Sequence, residues 1–473
     1  MVESFRNIFA IPDLRKRVLF TLAILGVYRM GSVIPTPGVN TDALAILVEQ
    51  AAGTMFGLYN MFSGGNLAQA TIFALGIMPY ISASIILQLL TVVWPYLERL
   101  SKEGELGRRK ITQYTRYGTI LLCIVQSMAI AIFLERQTNI AGGLPLVYEP
   151  GWSFRLMTVL TLTTGTGFIM WLGEQITERG VGNGMSLIIF AGIVVGLPTA
   201  VLTTLDQMRS GAIGLFTLIL LTVGMVAVIG AVVFIERGHR RVTVQYAKRV
   251  VGRRMYGGTS THIPLKVNTG GVIPVIFASS ILAVPATAVA AFPVGGWGQT
   301  LTDQLQNGRP WYYLLFVGLI IFFAYFYTAI IFNPDDVAEN MRKYGGFVPG
   351  IRPGKRTAEY IDTILTRITL AGSIYLALVA VLPDLMIVGF RADAMRCVPF
   401  LPDPCAVAGD WLDANVLPDF ITNGLGVTFY FGGTSLLIIV GVSMDTVQQV
   451  ESQLIMRHYD GFMKKTRIKG RRA

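Results

Sequence analysis

Charged residues are scarce in this chain, and their scarcity excludes an ordinary soluble protein. Only 14% of the 473 residues are Asp, Glu, Lys or Arg, whereas soluble domains carry about a quarter. Hydrophobic residues make up 53% of the chain, and the mean hydropathy is +0.57. The stretch from Gln50 to Leu97 contains forty-eight residues without any Asp, Glu, Lys, Arg or His. The composition therefore predicts a polytopic membrane protein.

Sequence patterns for nucleotide hydrolysis, metal binding and ion coupling are also missing. There is no GxxxxGK[ST] phosphate loop, and the three histidines and three cysteines show no metal-ligand spacing. No Asp or Glu lies in the central part of a predicted span, where ion-coupled transporters commonly place ionisable residues. We therefore predict no enzyme, cofactor or metal site, and a secondary transporter of a small solute remains the alternative. Cys397 and Cys405 share one polar loop, where a disulfide and two free thiols both stay open.

Ten apolar runs are long enough to cross a bilayer, which takes about 20 residues. They begin near Val18, Gly76, Tyr117, Phe154, Met185, Gly214, Gly271, Tyr312, Ile368 and Gly424. Of the 39 Lys and Arg, 32 lie on one alternating set of segments: residues 1–17, 96–116, 174–184, 236–270, 334–367 and the tail from 445. Six lie on the other set of loops, and Arg29 lies within the first span. The positive-inside rule then predicts that both termini are cytoplasmic.

The uncharged stretch from Gln50 to Leu97 is too long for one crossing of the membrane. Two crossings, added to the first span, would place the basic segments on either side of it on opposite sides of the membrane. The basic segments on either side of it should both be cytoplasmic, so the first span leaves room for only one more crossing, from Gly76 to Pro95. The run from Phe56 to Leu75 is left over, and Ser63-Gly64-Gly65-Asn66 is a poor centre for a lipid-exposed helix. Non-helical backbone survives at membrane depth only inside protein or along a cavity. We therefore expect a re-entrant segment buried in a helix bundle, with an amphipathic helix on the outer membrane surface as the alternative.

Two of the basic segments are too long to be simple connectors. In residues 236–270, polar and apolar residues alternate from Arg241 to Tyr246 and again from His262 to Val267, with Gly257-Gly258 between them. This pattern predicts a hairpin, and the segment carries eight Lys and Arg. Residues 334–367 form a second basic segment that Pro and Gly interrupt. Structured basic projections favour docking to a polyanion or an acidic protein surface over membrane-surface binding or simple control of topology.

Several of these segments resemble the SecY family, the channel subunits of the bacterial Sec protein translocase. The resemblance is carried by GIMPYISASIILQLL from Gly76, ERGVGNGMSLIIFAG from Glu178, YAKRVVGRRMYGGTSTHIPLKVNTGGVIPVIFASSI from Tyr246, GFVPGIRPGKRTAEYID from Gly346 and FGGTSLLIIV from Phe431. The motifs occur in the family's order and cover nearly the whole chain. The segment from Arg391 to Asp419 carries no matching motif.

The resemblance implies an all-α fold of ten transmembrane helices in two pseudo-symmetric halves, residues 1–203 and 204–473, around an hourglass pore. A plug is expected at Tyr59, Asn60, Met61, Phe62, Ser63, Gly64, Gly65, Asn66, Leu67, Ala68, Gln69 and Ala70. An aliphatic ring at the waist is expected from Ile81, Ile85, Met185, Ile189, Ile276 and Ile438. Met185 departs from a purely branched ring. From spacing alone these six residues would be read as packed core, and the resemblance favours the ring.

The resemblance also implies a function and a set of partners. The expected function is translocation of unfolded secretory polypeptides across the bacterial inner membrane, with lateral release of transmembrane segments between the second and seventh helices. The expected partners are SecE and SecG, the motor ATPase SecA, the ribosome and its RNA, signal sequences, nascent polypeptides and membrane lipids. Arg253, Arg254 and Arg352 are the expected docking residues for SecA or the ribosome.

Overall fold

The structure is a computed structural model, and the residues it describes cover most of the predicted spans. They are residues 11–41, 43–44, 60, 63–136, 145–211, 214–246, 249–251, 254–256, 260–291, 304–305, 308–388 and 433–465. Four of the predicted site residues, Tyr59, Met61, Phe62 and Arg253, lie outside this set, and so do Cys397 and Cys405.

Helices account for most of the described residues. They are α1 (Pro12–Gly31), α2 (Met78–Val93), α3 (Pro95–Lys102), α4 (Glu105–Arg136), α5 (Trp152–Arg179), α6 (Gly184–Arg209), α7 (Leu215–Glu236), α8 (Ile273–Ala291), α9 (Pro310–Ile331), α10 (Pro334–Lys343), α11 (Lys355–Val388) and α12 (Gly433–Lys465). The strands are β1 (His239–Tyr246), β2 (Arg249–Val251), β3 (Arg254–Tyr256), β4 (Ser260–Lys266) and β5 (Gly346–Phe347).

Each of the ten predicted apolar runs overlaps one of these helices. By length and composition, six helices of the described residues could cross a membrane, and the bent pair α2–α3 makes a seventh. The first helix does not meet the same criterion because Arg15, Lys16 and Arg17 lie close to its start. The apolar part of α8 is short, Ile273–Leu282. The helix of the tenth predicted span, α12, begins at Gly433 rather than near Gly424, and residues 389–432 lie outside the described set.

The break between α2 and α3 ends the second span at a definite residue. Trp94 has extended backbone (φ −101°, ψ 112°) because the ring of Pro95 disfavours helical conformation at the preceding residue. The two helices meet at 98°. On α3, Leu97 and Leu100 are buried. The Lys102 ammonium donates a 2.7 Å hydrogen bond to Glu98, and this bond lowers the pKa of the Glu98 carboxyl. The uncharged stretch therefore ends in a short amphipathic helix.

The chain divides into two compact units. The first unit comprises Met1–Leu202, Ala283–Asp303 and Val442–Ala473, and the second comprises Thr203–Leu282 and Gln304–Gly441. In the first unit, a buried apolar cluster joins the segment after α1 to α4 and α5. It includes Val39, Leu44, Ala70, Ala131, Leu134, Val147 and Phe154. In the second unit, α9 packs on α11.

The predicted hairpin is present in the second unit. The two long strands β1 and β4 pair antiparallel, with Val242 opposite Ile263 and Arg240 opposite Leu265. At the other edge of the sheet, β5 pairs with β1. Val242 and Leu265 point from the sheet into a core shared with α10 and α11, where Met341 is one of the buried residues. The alternation of polar and apolar residues therefore predicted this hairpin correctly.

Candidate functional site

The re-entrant segment consists of turns rather than a helix in the residues that the structure describes. Residues 63–70 form successive turns, and Thr71 makes an isolated bridge with Pro35. Gly64 (φ +73°) and Gly65 (φ +82°) adopt the left-handed conformation that favours glycine. Ser63, Asn66, Leu67 and the following residues through Leu75 are mostly buried. The sequence left a surface helix open as the alternative, but residues 63–70 are neither helical nor largely exposed.

Polar side chains within the predicted plug segment form hydrogen bonds with its non-helical backbone. The Asn60 Oδ1 atom accepts a 2.8 Å hydrogen bond from the amide of Ala68. Ser63 Oγ accepts one of 3.2 Å from the amide of Leu67, and Asn66 Nδ2 donates one of 2.6 Å to the carbonyl of Ser63. Backbone groups that lack partners are costly in an apolar environment. The side chains of Asn60, Ser63 and Asn66 therefore supply hydrogen-bond partners for backbone groups that are not in a helix.

The predicted plug segment packs against α1 and α6 of the first unit, and the residues just after it pack against α5. Asn66 Nδ2 donates a 3.1 Å hydrogen bond to Tyr28 Oη on α1. On α6, Gly192 faces Gly64 so closely that a Cβ atom on Gly64 would lie 2.7 Å from the Gly192 Cα. Just after the segment, the carbonyl of Ile72 lies against Gly165 of α5. These contacts place the segment inside the helix bundle of this unit.

Four of the predicted ring residues belong to the first unit. Ile81 and Ile85 are buried on α2 and lie four residues apart, so they share one face of the helix. On α6, Ile189 is buried and Met185 is partly exposed. The Met185 sulfur lies over Gly173 of α5, where an added Cβ would approach it to 2.5 Å. Met185 thus differs from the three isoleucines in exposure as well as in shape.

The other two predicted ring residues belong to the second unit. Ile276 lies in the first turn of α8, and Ile438 lies in the first two turns of α12; both are buried. Burial of apolar side chains is common to a tight apolar constriction and to a packed core, so it is compatible with both interpretations.

The predicted docking residues lie in two connected parts of the second unit. Arg254 begins β3 and pairs with Val251 of β2. Arg352 is exposed between β5 and α11, and its carbonyl accepts a 2.9 Å hydrogen bond from Thr357 Oγ1. The outward face of the β1–β4 sheet adds Arg241 and His262, which are also exposed. The exposed surface of this projection is therefore basic.

A buried polar link at the base of the hairpin was missed by sequence reasoning. Asn268 Nδ2 donates 3.0 Å hydrogen bonds to Glu236 Oε2, at the end of α7, and to the carbonyl of Gly271, just before α8. Glu236 and Asn268 are both buried. The one signal in the sequence was an acid and an amide at opposite ends of the same basic segment.

Tyr28 was likewise missed, because a single tyrosine in an apolar span is ordinary. Its neighbour Arg29 is exposed in the last turn of α1, where a cation interacts favourably with the helix dipole. A further unexpected group is Asp384, which is buried near the end of α11.

Comparison with known sequences finds relatives that match nearly the whole chain. The SecY family profile matches residues 71–398. The chain is 50% identical over 461 residues to the protein translocase subunit SecY of Escherichia coli strain K12, covering 97% of this chain and 96% of that protein. It is 47% identical over 475 residues to the corresponding subunit of Vibrio cholerae, covering 99% and 98%.

Solved structures share the fold. A protein-conducting channel superposes with a TM-score of 0.62 at 16% identity, covering 93% of each chain. A SecY structure, reported to show that its plug domain stabilises the closed channel and maintains a membrane seal, superposes with a TM-score of 0.60 at 17% identity, covering 93% of this chain and 92% of that one. Sec61 in a canine ribosome–channel complex gives a TM-score of 0.58 at 17% identity, covering 93% of each chain.

Proposed function

Because this chain belongs to the SecY family of protein-conducting channel subunits of the Sec translocase, we propose that unfolded polypeptides cross through a pore that its plug segment closes. The chain is a multi-pass membrane protein and a channel rather than an enzyme. Family membership decides against the small-solute transporter that the sequence left as an alternative.

The observation that carries this proposal is the fold of the uncharged segment. It is non-helical, buried and held by α1, α5 and α6 of the first unit. Non-helical backbone at membrane depth needs such protection. In the proposal, Tyr59 to Ala70 form the plug, and its displacement opens the pore.

An apolar ring formed by Ile81, Ile85, Met185, Ile189, Ile276 and Ile438 is the second part of the proposal. A narrow aliphatic constriction excludes water and ions by dewetting. Aliphatic side chains also make no directional bonds, so they can yield to a polypeptide of any sequence. The burial of the five isoleucines is compatible with this role.

Lateral release is proposed between α2 and α8. Pro285 lies in the interior of α8, where a proline removes one backbone hydrogen bond and disfavours a straight helix. Such a helix is suited to bending when signal sequences and transmembrane segments leave the channel for membrane lipids. The halves that would part in this proposal are residues 1–203 and 204–473.

Docking of cytoplasmic partners is proposed at the basic projection. Its cations, including Arg253, Arg254 and Arg352, suit the motor ATPase SecA or the ribosome and its RNA. A ribosome complex among the structural neighbours supports the second partner. SecE and SecG are the proposed membrane partners, and the chain would lie in the bacterial inner membrane with both termini in the cytoplasm, as its charge asymmetry indicates.

Deletion of the plug tests this function directly. Removing Tyr59 to Ala70 should increase ion leak through the purified translocase complex in liposomes, because an apolar ring alone seals less well than a ring and a plug. The measurement is iodide efflux from vesicles with equal amounts of inserted protein. Leak equal to that of the intact protein would refute the plug assignment.

A further inference from the structure

We propose that Tyr28 of α1 is a positioning residue that latches the plug in its closed position through Asn66. This inference rests on the role of the plug proposed above and names the contact that holds it. The plug and α1 meet at this contact although Tyr28 and Asn66 are thirty-eight residues apart in sequence.

The amide of Asn66 joins two parts of the fold. One Nδ2 contact, of 2.6 Å, is to the carbonyl of Ser63 within the plug itself. The other, of 3.1 Å, is to Tyr28 Oη. Both side chains are buried, Tyr28 at 4% exposure and Asn66 at 2%. Because a buried polar group without a partner is costly, the amide favours the position in which both contacts are made.

The ring of Tyr28 is itself held in place by a row of aromatic side chains. It stacks on Phe73 with ring centroids 5.7 Å apart, and Phe73 stacks on Phe168 of α5 at 6.3 Å. Trp171 continues the row at 5.8 Å from Phe168. Stacked rings restrict one another's orientation, so the Tyr28 hydroxyl is presented to the plug from a fixed direction.

Glycine on α6 leaves room for the latch. A Cβ atom on Gly192 would lie 3.6 Å from Tyr28 Oη and 3.1 Å from the Gly64 Cα. The plug, the tyrosine hydroxyl and α6 therefore meet at one point. An arriving polypeptide that displaces the plug must break the Tyr28–Asn66 hydrogen bond. A single hydrogen bond is weak enough to be broken in this step, and it can form again when the pore empties and the plug returns.

The test is a comparison of Tyr28→Phe, Asn66→Ala and the double variant in the purified translocase complex. Tyr28→Phe removes only the hydroxyl, and we expect iodide leak to rise about threefold, the change that one intramembrane hydrogen bond commonly supports. Hydrogen–deuterium exchange at the amides of residues 63–72 should become faster in the same variant. Adding Tyr28→Phe to Asn66→Ala should produce no further rise, because the bond is already absent.

A matched control is available in the second unit. Tyr325 Oη of α9 donates a 3.2 Å hydrogen bond to the carbonyl of Thr366 on α11, so Tyr325→Phe loses one tyrosine hydrogen bond within the unit that does not contain the plug. It should leave both leak and plug exchange unchanged. Additive effects of the two latch substitutions, or an effect of Tyr325→Phe equal to that of Tyr28→Phe, would overturn the latch.

The plug deletion separates this inference from the proposed function. If the deletion raises leak but Tyr28→Phe changes neither leak nor exchange, the latch is wrong and the plug remains. If the deletion leaves leak unchanged while Tyr28→Phe still speeds exchange, the contact holds the segment in place but the segment does not seal the pore.

Discussion

Two consecutive glycines of the proposed plug differ in what surrounds them. Both Gly64 and Gly65 have positive φ, so a side chain at either position is strained. An added Cβ on Gly64 would meet the backbone of α6 at Gly192, whereas one on Gly65 would meet nothing within 4 Å. The sequence shows the same residue twice, and only the packing distinguishes them.

Substitution by alanine at these positions should therefore have unequal effects. Gly64→Ala should push the plug away from α6 and increase ion leak, because overpacking of this kind typically costs about 1–3 kcal/mol. Gly65→Ala carries the same kind of backbone strain without the clash and serves as the control. The measurement is iodide efflux from liposomes, and equal leak in the two variants would show that the Gly64–Gly192 contact is unimportant.

At the scale of elements, local patterns predicted the hairpin but not its attachment. The alternation in β1 and β4 and the intervening glycines indicated two paired strands, and the register confirms them. The hydrogen bonds that Asn268 makes to Glu236 and to Gly271 could not be predicted. They depend on the end of α7 and the start of α8 coming together, and that depends on the tertiary fold.

Charge reversal on the basic projection tests its docking role. Changing Arg253, Arg254 and Arg352 to glutamate should reduce SecA-driven translocation at least tenfold while leaving membrane insertion intact, because attraction to an anionic surface becomes repulsion. The measurement is transport of a secretory precursor into vesicles.

Reversing Arg136, Arg209 and Arg309 is the control for this experiment. These residues lie on the opposite set of loops and change the net charge by the same amount, so translocation should continue. Normal translocation by the first variant would exclude docking through these arginines.

At the scale of the whole molecule, the asymmetry of charge predicts the orientation in the membrane. Thr243 lies exposed on the outward face of β1, and Tyr148 is 64% exposed in the loop between α4 and α5. Thr243 belongs to the basic set of segments, which we predict to be cytoplasmic. Tyr148 belongs to the other set of loops, on the opposite side of the membrane.

Cysteines at these two positions should react from opposite sides of the membrane. In a variant whose own cysteines are replaced by serine, an impermeant maleimide added to spheroplasts should label Tyr148→Cys and spare Thr243→Cys. Inverted vesicles should give the reverse pattern. Detergent-permeabilised samples, in which both should react, serve as the control, and labelling from the same side would contradict the proposed orientation.

Composition and charge by themselves determined that this chain spans the membrane many times, and they predicted that one uncharged segment is re-entrant. These properties follow from the sequence because burial of charge in a bilayer is unfavourable wherever it occurs. The tertiary structure decided how that segment is held, through Tyr28, Gly192 and Gly165. Contacts between residues far apart in sequence depend on the packing of helices, and the periodicity of the sequence does not predict them.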